Sequence, residues 1–123
     1  MNIKILIISA VIMLLLDFIF LSLISKYFSK MLYNIQKKPL KIKYSIATIT
    51  YIIMVFALNY FILQSPKPKL LDAFLLGFII YSIYETTNLA TIKNWSYYLA
   101  IIDSLWGGIL FSLTTYLTSK ISR

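Results

Sequence analysis

The sequence contains neither cysteine nor histidine, and only four of its 123 residues are acidic. The first two absences exclude disulfides, thiolate nucleophiles, c-type haem attachment, iron–sulfur clusters and any conventional zinc site. Glycine and proline are scarce, with three of each, and the glycines form no phosphate-binding loop. No nucleophile–base pair and no metal motif is present. Enzyme activity would have to rest on carboxylates, tyrosines and asparagine, which leaves it open but disfavoured, and no cofactor is expected. Charged residues are few as well, at 13%, against about 25% in an ordinary soluble domain.

What is there is apolar. Hydrophobic residues make up 60% of the chain, more than a soluble fold of this size can hide, because small domains bury a small share of their surface. Four apolar runs stand out, at about 3–24, 44–63, 70–92 and 97–118. Each has about 20 residues or more, enough to cross a hydrocarbon core of about 30 Å at 1.5 Å per residue. Only helices satisfy their own backbone groups in lipid, and nothing alternates as a membrane β-barrel strand would. The expected fold is therefore all-α: a polytopic membrane protein, one four-transmembrane-helix bundle over residues 1–123.

The breaks are clear. Gln64-Ser65-Pro66-Lys67-Pro68-Lys69 is a tight connection, and Asp72 follows in the first turn of the third helix, where a negative charge suits the dipole. Lys93-Asn94-Trp95-Ser96 is a second short turn, with Trp95, Tyr97 and Tyr98 expected at head-group depth. The connection from Lys26 to Lys43 is longer. Phe28, Met31, Leu32 and Ile35 recur there at helical spacing between lysines, which predicts a short basic helix lying on the membrane surface. Its Lys30, Lys37, Lys38, Lys41 and Lys43 are expected to meet lipid head groups. Lys4 before an apolar stretch has the look of a signal peptide, but Asp17 interrupts the stretch and no small-x-small site follows, so a retained first helix is expected.

The net charge of +8 would suggest nucleic acid on a soluble protein. Here the basic residues lie in the connections and chain ends, so the partner they imply is the bilayer and not nucleic acid. Seven Lys/Arg fall on the side of the first and third connections and five on the other. The positive-inside rule then predicts external termini and a cytoplasmic Lys26–Lys43 segment.

Asp17, Glu85 and Asp103 lie inside apolar spans, where an ionised group costs about 2.5–3.5 kcal/mol on insertion scales. Counting from the nearest connection on one face puts Asp17 about 13 Å deep, Glu85 about 12 Å and Asp103 about 10 Å. That is one layer. Tyr81, Glu85 and Asn88 share a helix face with Tyr84 beside them, and Asp103, Trp106 and Gly107 share another. No Lys or Arg lies within any span to pair with these acids. Either the carboxyls are protonated, or positive charge arrives as a proton, a metal ion, a cationic ligand or a lysine reaching in from the Lys26–Lys43 segment. Asp17, Glu85, Asp103, Asn88, Tyr81, Tyr84 and Trp106 are the candidate ligand- or ion-binding residues, with no metal assigned.

The segments Asp17-Phe18-Ile19-Phe20-Leu21, Tyr81 to Thr91 with Trp95, and Asp103-Ser104-Leu105-Trp106-Gly107 resemble the motifs of the domain-of-unknown-function family numbered 2177, small four-helix predicted membrane proteins. The resemblance covers nearly the whole chain. Two positions depart from the family pattern: Glu85 stands where aspartate is usual and Phe20 where tryptophan is. The family has no known activity, so the resemblance implies the architecture and the site but no reaction. The first functional reading is a structural or accessory membrane protein whose acids hold its own bundle, within a larger assembly. A transport-type protein binding a proton or cation through its buried carboxylates is the alternative, and would require a homo-oligomer. A membrane-embedded enzyme using paired carboxylates is the third.

Overall fold

The computed structural model describes residues 2–36 and 43–122. Four helices follow one another: α1 over Ile3–Gln36, α2 over Tyr44–Leu58, α3 over Leu70–Thr91 and α4 over Tyr97–Ser122. A π-helical turn, Asn59–Leu63, continues α2. All four are long and apolar enough to cross a membrane, with spans at Ile3–Met31, Tyr44–Leu63, Leu70–Thr91 and Tyr97–Ser122. The protein is an all-helical four-span membrane bundle.

α1 corrects one expectation. The stretch from Phe28 is not a separate surface helix but the last part of α1, which runs unbroken for 34 residues to Gln36. Neither glycine nor proline occurs before Pro39, so nothing in the sequence stops the helix. At 1.5 Å per residue it is about 51 Å long, well beyond a hydrocarbon core of about 30 Å. Phe28 and Met31 are not laid against lipid either. They pack with Trp95 and Leu99 in a small apolar cluster that also holds Ile24, Leu89 and Ile92. Lys37, Lys38 and Lys41 lie outside the described residues; Lys30 and Lys43 are exposed.

The turn between α3 and α4 is closed by Asn94 in the left-handed region, φ 68°. Ser96 then caps α4, its Oγ accepting the Leu99 amide at 3.1 Å. The Tyr27 hydroxyl reaches the same Ser96 Oγ at 2.8 Å and ties the far part of α1 to this turn.

α3 and α4 form the closest pair, because glycines on both let the backbones meet. A Cβ on Gly77 would run into the Gly107 carbonyl, and one on Gly107 into the Tyr81 ring. α1 packs beside α4, and α2 beside α1, while α2 and α3 touch only sparsely. The main core lies toward the end that holds the termini. Met13, Leu58, Leu110 and Phe111 are fully buried there, with Met54, Val55, Ile62, Leu63 and Ala73 around them. One polar link crosses this core: Asn59 donates to Ser9 Oγ at 2.9 Å and to the Val55 carbonyl at 2.8 Å. The second donation is the familiar reach of a side chain back one helical turn. The π turn begins at this asparagine, with the Gln64 amide bonded to the Asn59 carbonyl at 3.1 Å.

Candidate functional site

Toward the opposite end, near Trp95, the helices diverge around a cavity of about 440 Å³ lined by residues from all four. Asp17 enters from α1, Tyr81, Tyr84 and Glu85 from α3, and Asp103 from α4, with Tyr51 opposite them on α2. α2 and α3 both line the cavity and touch each other only sparsely.

The acids are held differently. Asp17 is 5% exposed and both its oxygens are engaged. Oδ1 accepts the Trp106 indole N–H at 2.9 Å and Oδ2 accepts the Tyr51 hydroxyl. One carboxylate on α1 thus ties α2 and α4 together. Polar contacts between membrane helices average roughly 0.6 kcal/mol each, so two on one side chain contribute on the order of 1 kcal/mol. Trp106 is fixed in turn by Phe20, the rings stacked at 4.6 Å and 5°.

Glu85 is 1% exposed, and its Oε1 accepts the Trp95 indole N–H at 2.7 Å. Glu85 on α3 and Asp103 on α4 both line the cavity and lie close enough to interact. Neighbouring carboxyl groups disfavour each other's ionised form, and a proton or a cation between two of them relieves the repulsion. Tyr81 lies among Asp17, Asp103 and Tyr51, close enough to feel each. No Lys or Arg is among the described residues lining the cavity. Among the described residues no group of three or more acidic side chains is placed to hold a metal ion, because Asp17 is turned to its own two donors.

Of the residues singled out from sequence, Asp17, Tyr81, Tyr84, Glu85 and Asp103 line the cavity. Trp106 stands behind Asp17 as its donor. Asn88 does not line it, and lies instead near Tyr84 one turn away. Sequence reasoning missed Tyr51 and gave Trp95 a depth but no direction. Trp95 is 6% exposed and turned into the bundle, while Tyr97 and Tyr98 beside it are well exposed. A signal for Tyr51 was available: seven residues into α2, it is about 10 Å from the same face as the acids.

No curated protein and no solved structure matches the chain. One family model matches residues 2–119, nearly its full length. The chain belongs to that family, Predicted membrane protein (DUF2177).

Proposed function

We propose that this single four-helix transmembrane domain is a proton- or cation-binding protein of the transport type, with the Glu85–Asp103 pair as its exchange site. The observation that supports this most is the space beside the acids: a cavity of about 440 Å³ borders all three, where purely structural carboxyls would be packed over. With no cation among the described lining residues, a proton shared by the pair is the simplest way to lower its charge, from −2 to −1. Replacing that proton by one monovalent cation leaves the net charge of the site unchanged, which is the cheapest change available in a low-dielectric interior. A path across the bilayer would be completed by further copies of the chain. The distribution of Lys and Arg supports external termini and a cytoplasmic Lys26–Lys43 segment, with Lys30 and Lys43 among the lysines at the head groups.

The test is proton release. Adding methylammonium to the protein in lipid nanodiscs, weakly buffered, should release about one proton per chain, as the exchange described above requires. Asp103→Asn should abolish the release. No release from the wild type overturns the reading.

The structural reading keeps one observation of its own: Asp17 is fully engaged by Tyr51 and Trp106 and joins three helices. We assign the bundle-holding role to Asp17 and the exchange role to the pair.

A further inference from the structure

We infer that the occupant of the cavity is an amphipathic amine, a single ammonium head on an apolar chain or ring, entering from the bilayer between α2 and α3. This rests on the exchange site proposed above and adds the class of ligand. The walls carry the argument. Beyond the acids, the phenols and Thr50, whose hydroxyl donates back to the Ile46 carbonyl at 3.1 Å, the lining is apolar on every helix, with Leu21, Ile24 and Phe28 on α1, Met54 on α2, Ile80 on α3 and Leu99 on α4 among it. A small inorganic ion would use only the acidic end. The rest of the volume would then have to hold water, and each water needs two to four polar partners that these walls do not offer. A neutral acyl chain would suit the walls and make no use of the acidic end.

An ammonium head has N–H donors for the oxygens of Glu85 and Asp103 that Trp95 does not take, and its chain fills the apolar remainder. The volume is within the range of about 300–1,000 Å³ usual for small-molecule sites. The entrance is placed between α2 and α3 because both line the cavity, α2 packs on α1 and α3 on α4, and the two touch each other only sparsely. Tyr84, half-exposed on α3, and Ile53, exposed on α2, line the cavity from the two sides of that gap.

The reporters are built in. The protein has two tryptophans, and each donates to one of the cavity's acids, Trp106 to Asp17 and Trp95 to Glu85. Tryptophan emission should be followed in nanodiscs of zwitterionic lipid during titration with decylamine, decanol and methylamine, with empty nanodiscs as the partition reference. Decylammonium should bind saturably and at least about tenfold more tightly than either decanol or methylammonium, the effect of roughly 1.4 kcal/mol from head and chain each. Ala47→Phe, which fills the cavity and leaves every acid in place, should weaken decylammonium by about tenfold or more. Asp72→Asn, at an exposed acid on the first turn of α3, should leave binding unchanged.

If decanol binds as tightly as decylammonium, the acids do not select the ligand and the inference fails. If methylammonium displaces the proton of the carboxyl pair but decylammonium binds no more tightly, the apolar body is wrong and the exchange site stands. If neither amine releases a proton, both readings fall together.

Discussion

The two ends of this bundle use the same helices for opposite purposes. At the end holding the termini, Met13, Leu58, Leu110 and Phe111 are sealed from solvent, and the buried polar side chains carry hydroxyls or an amide: Ser9, Asn59, Thr114, Thr115 and Thr118. At the Trp95 end every buried or half-buried acid is found, and the helices part around open volume. Dense packing therefore goes with neutral groups and space goes with acids. A bundle that needed its carboxyls only as fasteners could have placed them in the tight half, where they would hold neighbours without a cavity beside them.

The largest expected effect breaks the tight half. Gly77→Ala puts a methyl group into the Gly107 carbonyl of α4, and backbone cannot move aside as a flexible side chain can. Overpacking usually costs about 1–3 kcal/mol and here falls at the upper end or beyond. Thermal melts in detergent should show the variant unfolding far below wild type or failing to accumulate. A melting temperature close to wild type would mean that α3 and α4 do not meet at these glycines.

Next comes the clamp between the halves. Asp17→Ala strands the Trp106 indole and the Tyr51 hydroxyl, two donors whose loss of partner costs about 1–3 kcal/mol each when buried. Asp17→Asn keeps an acceptor, though its amide end cannot accept, so it should recover about half of that loss. Equal destabilisation by Asn and Ala, read from the same melts, would remove the assignment of two donors to this carboxylate.

The comparison also explains what could be seen from sequence. The four spans were legible because lipid forces helices and because the runs are long, so composition decides without periodicity. Asp17, Glu85 and Asp103 were legible as a layer, since depth follows from counting at 1.5 Å per residue. What counting could not supply is direction. Trp95 sits in a turn whose neighbours face the surface, and only the packing of Phe28 and Met31 over it shows that it turns inward. Asn88 shares the Glu85 face by spacing, yet it does not line the cavity. Tyr51 was passed over because α2 holds no acid to draw attention to it. The continuity of α1 was in plain view as 34 residues without glycine or proline, but lysine spacing after Lys26 suggested a boundary.

A cavity-filling pair sharpens the contrast further. Ala47→Phe adds a ring beside open space and should cost under about 1 kcal/mol, within the scatter of tolerated substitutions. Ala73→Phe adds the same ring where exposure is 0% and should cost about 1–3 kcal/mol as overpacking. Matched melting temperatures for the two would mean that the halves do not differ in packing.

The smallest effect concerns the hydroxyls of α4. Thr114, Thr115 and Thr118 are at most 1% exposed, and their Oγ1 atoms have no hydrogen-bond partner among the described residues. A buried hydroxyl without a partner is a cost, about 1–3 kcal/mol on protein mutational scales, moderated where rotation lets it reach a carbonyl one turn back. Thr114→Val removes the hydroxyl while keeping the branched shape, so the surrounding core of Leu110 and Phe111 should stay as it is. The variant should melt at or slightly above the wild-type temperature. Ser9→Ala makes the control in the same half, because the Ser9 Oγ accepts from Asn59 and its loss leaves that amide short of an acceptor. It should destabilise by about 1 kcal/mol. If Thr114→Val is instead the more damaging of the two, its hydroxyl has a partner in the folded protein, and the tight half is not the dry, neutral region set against the acids.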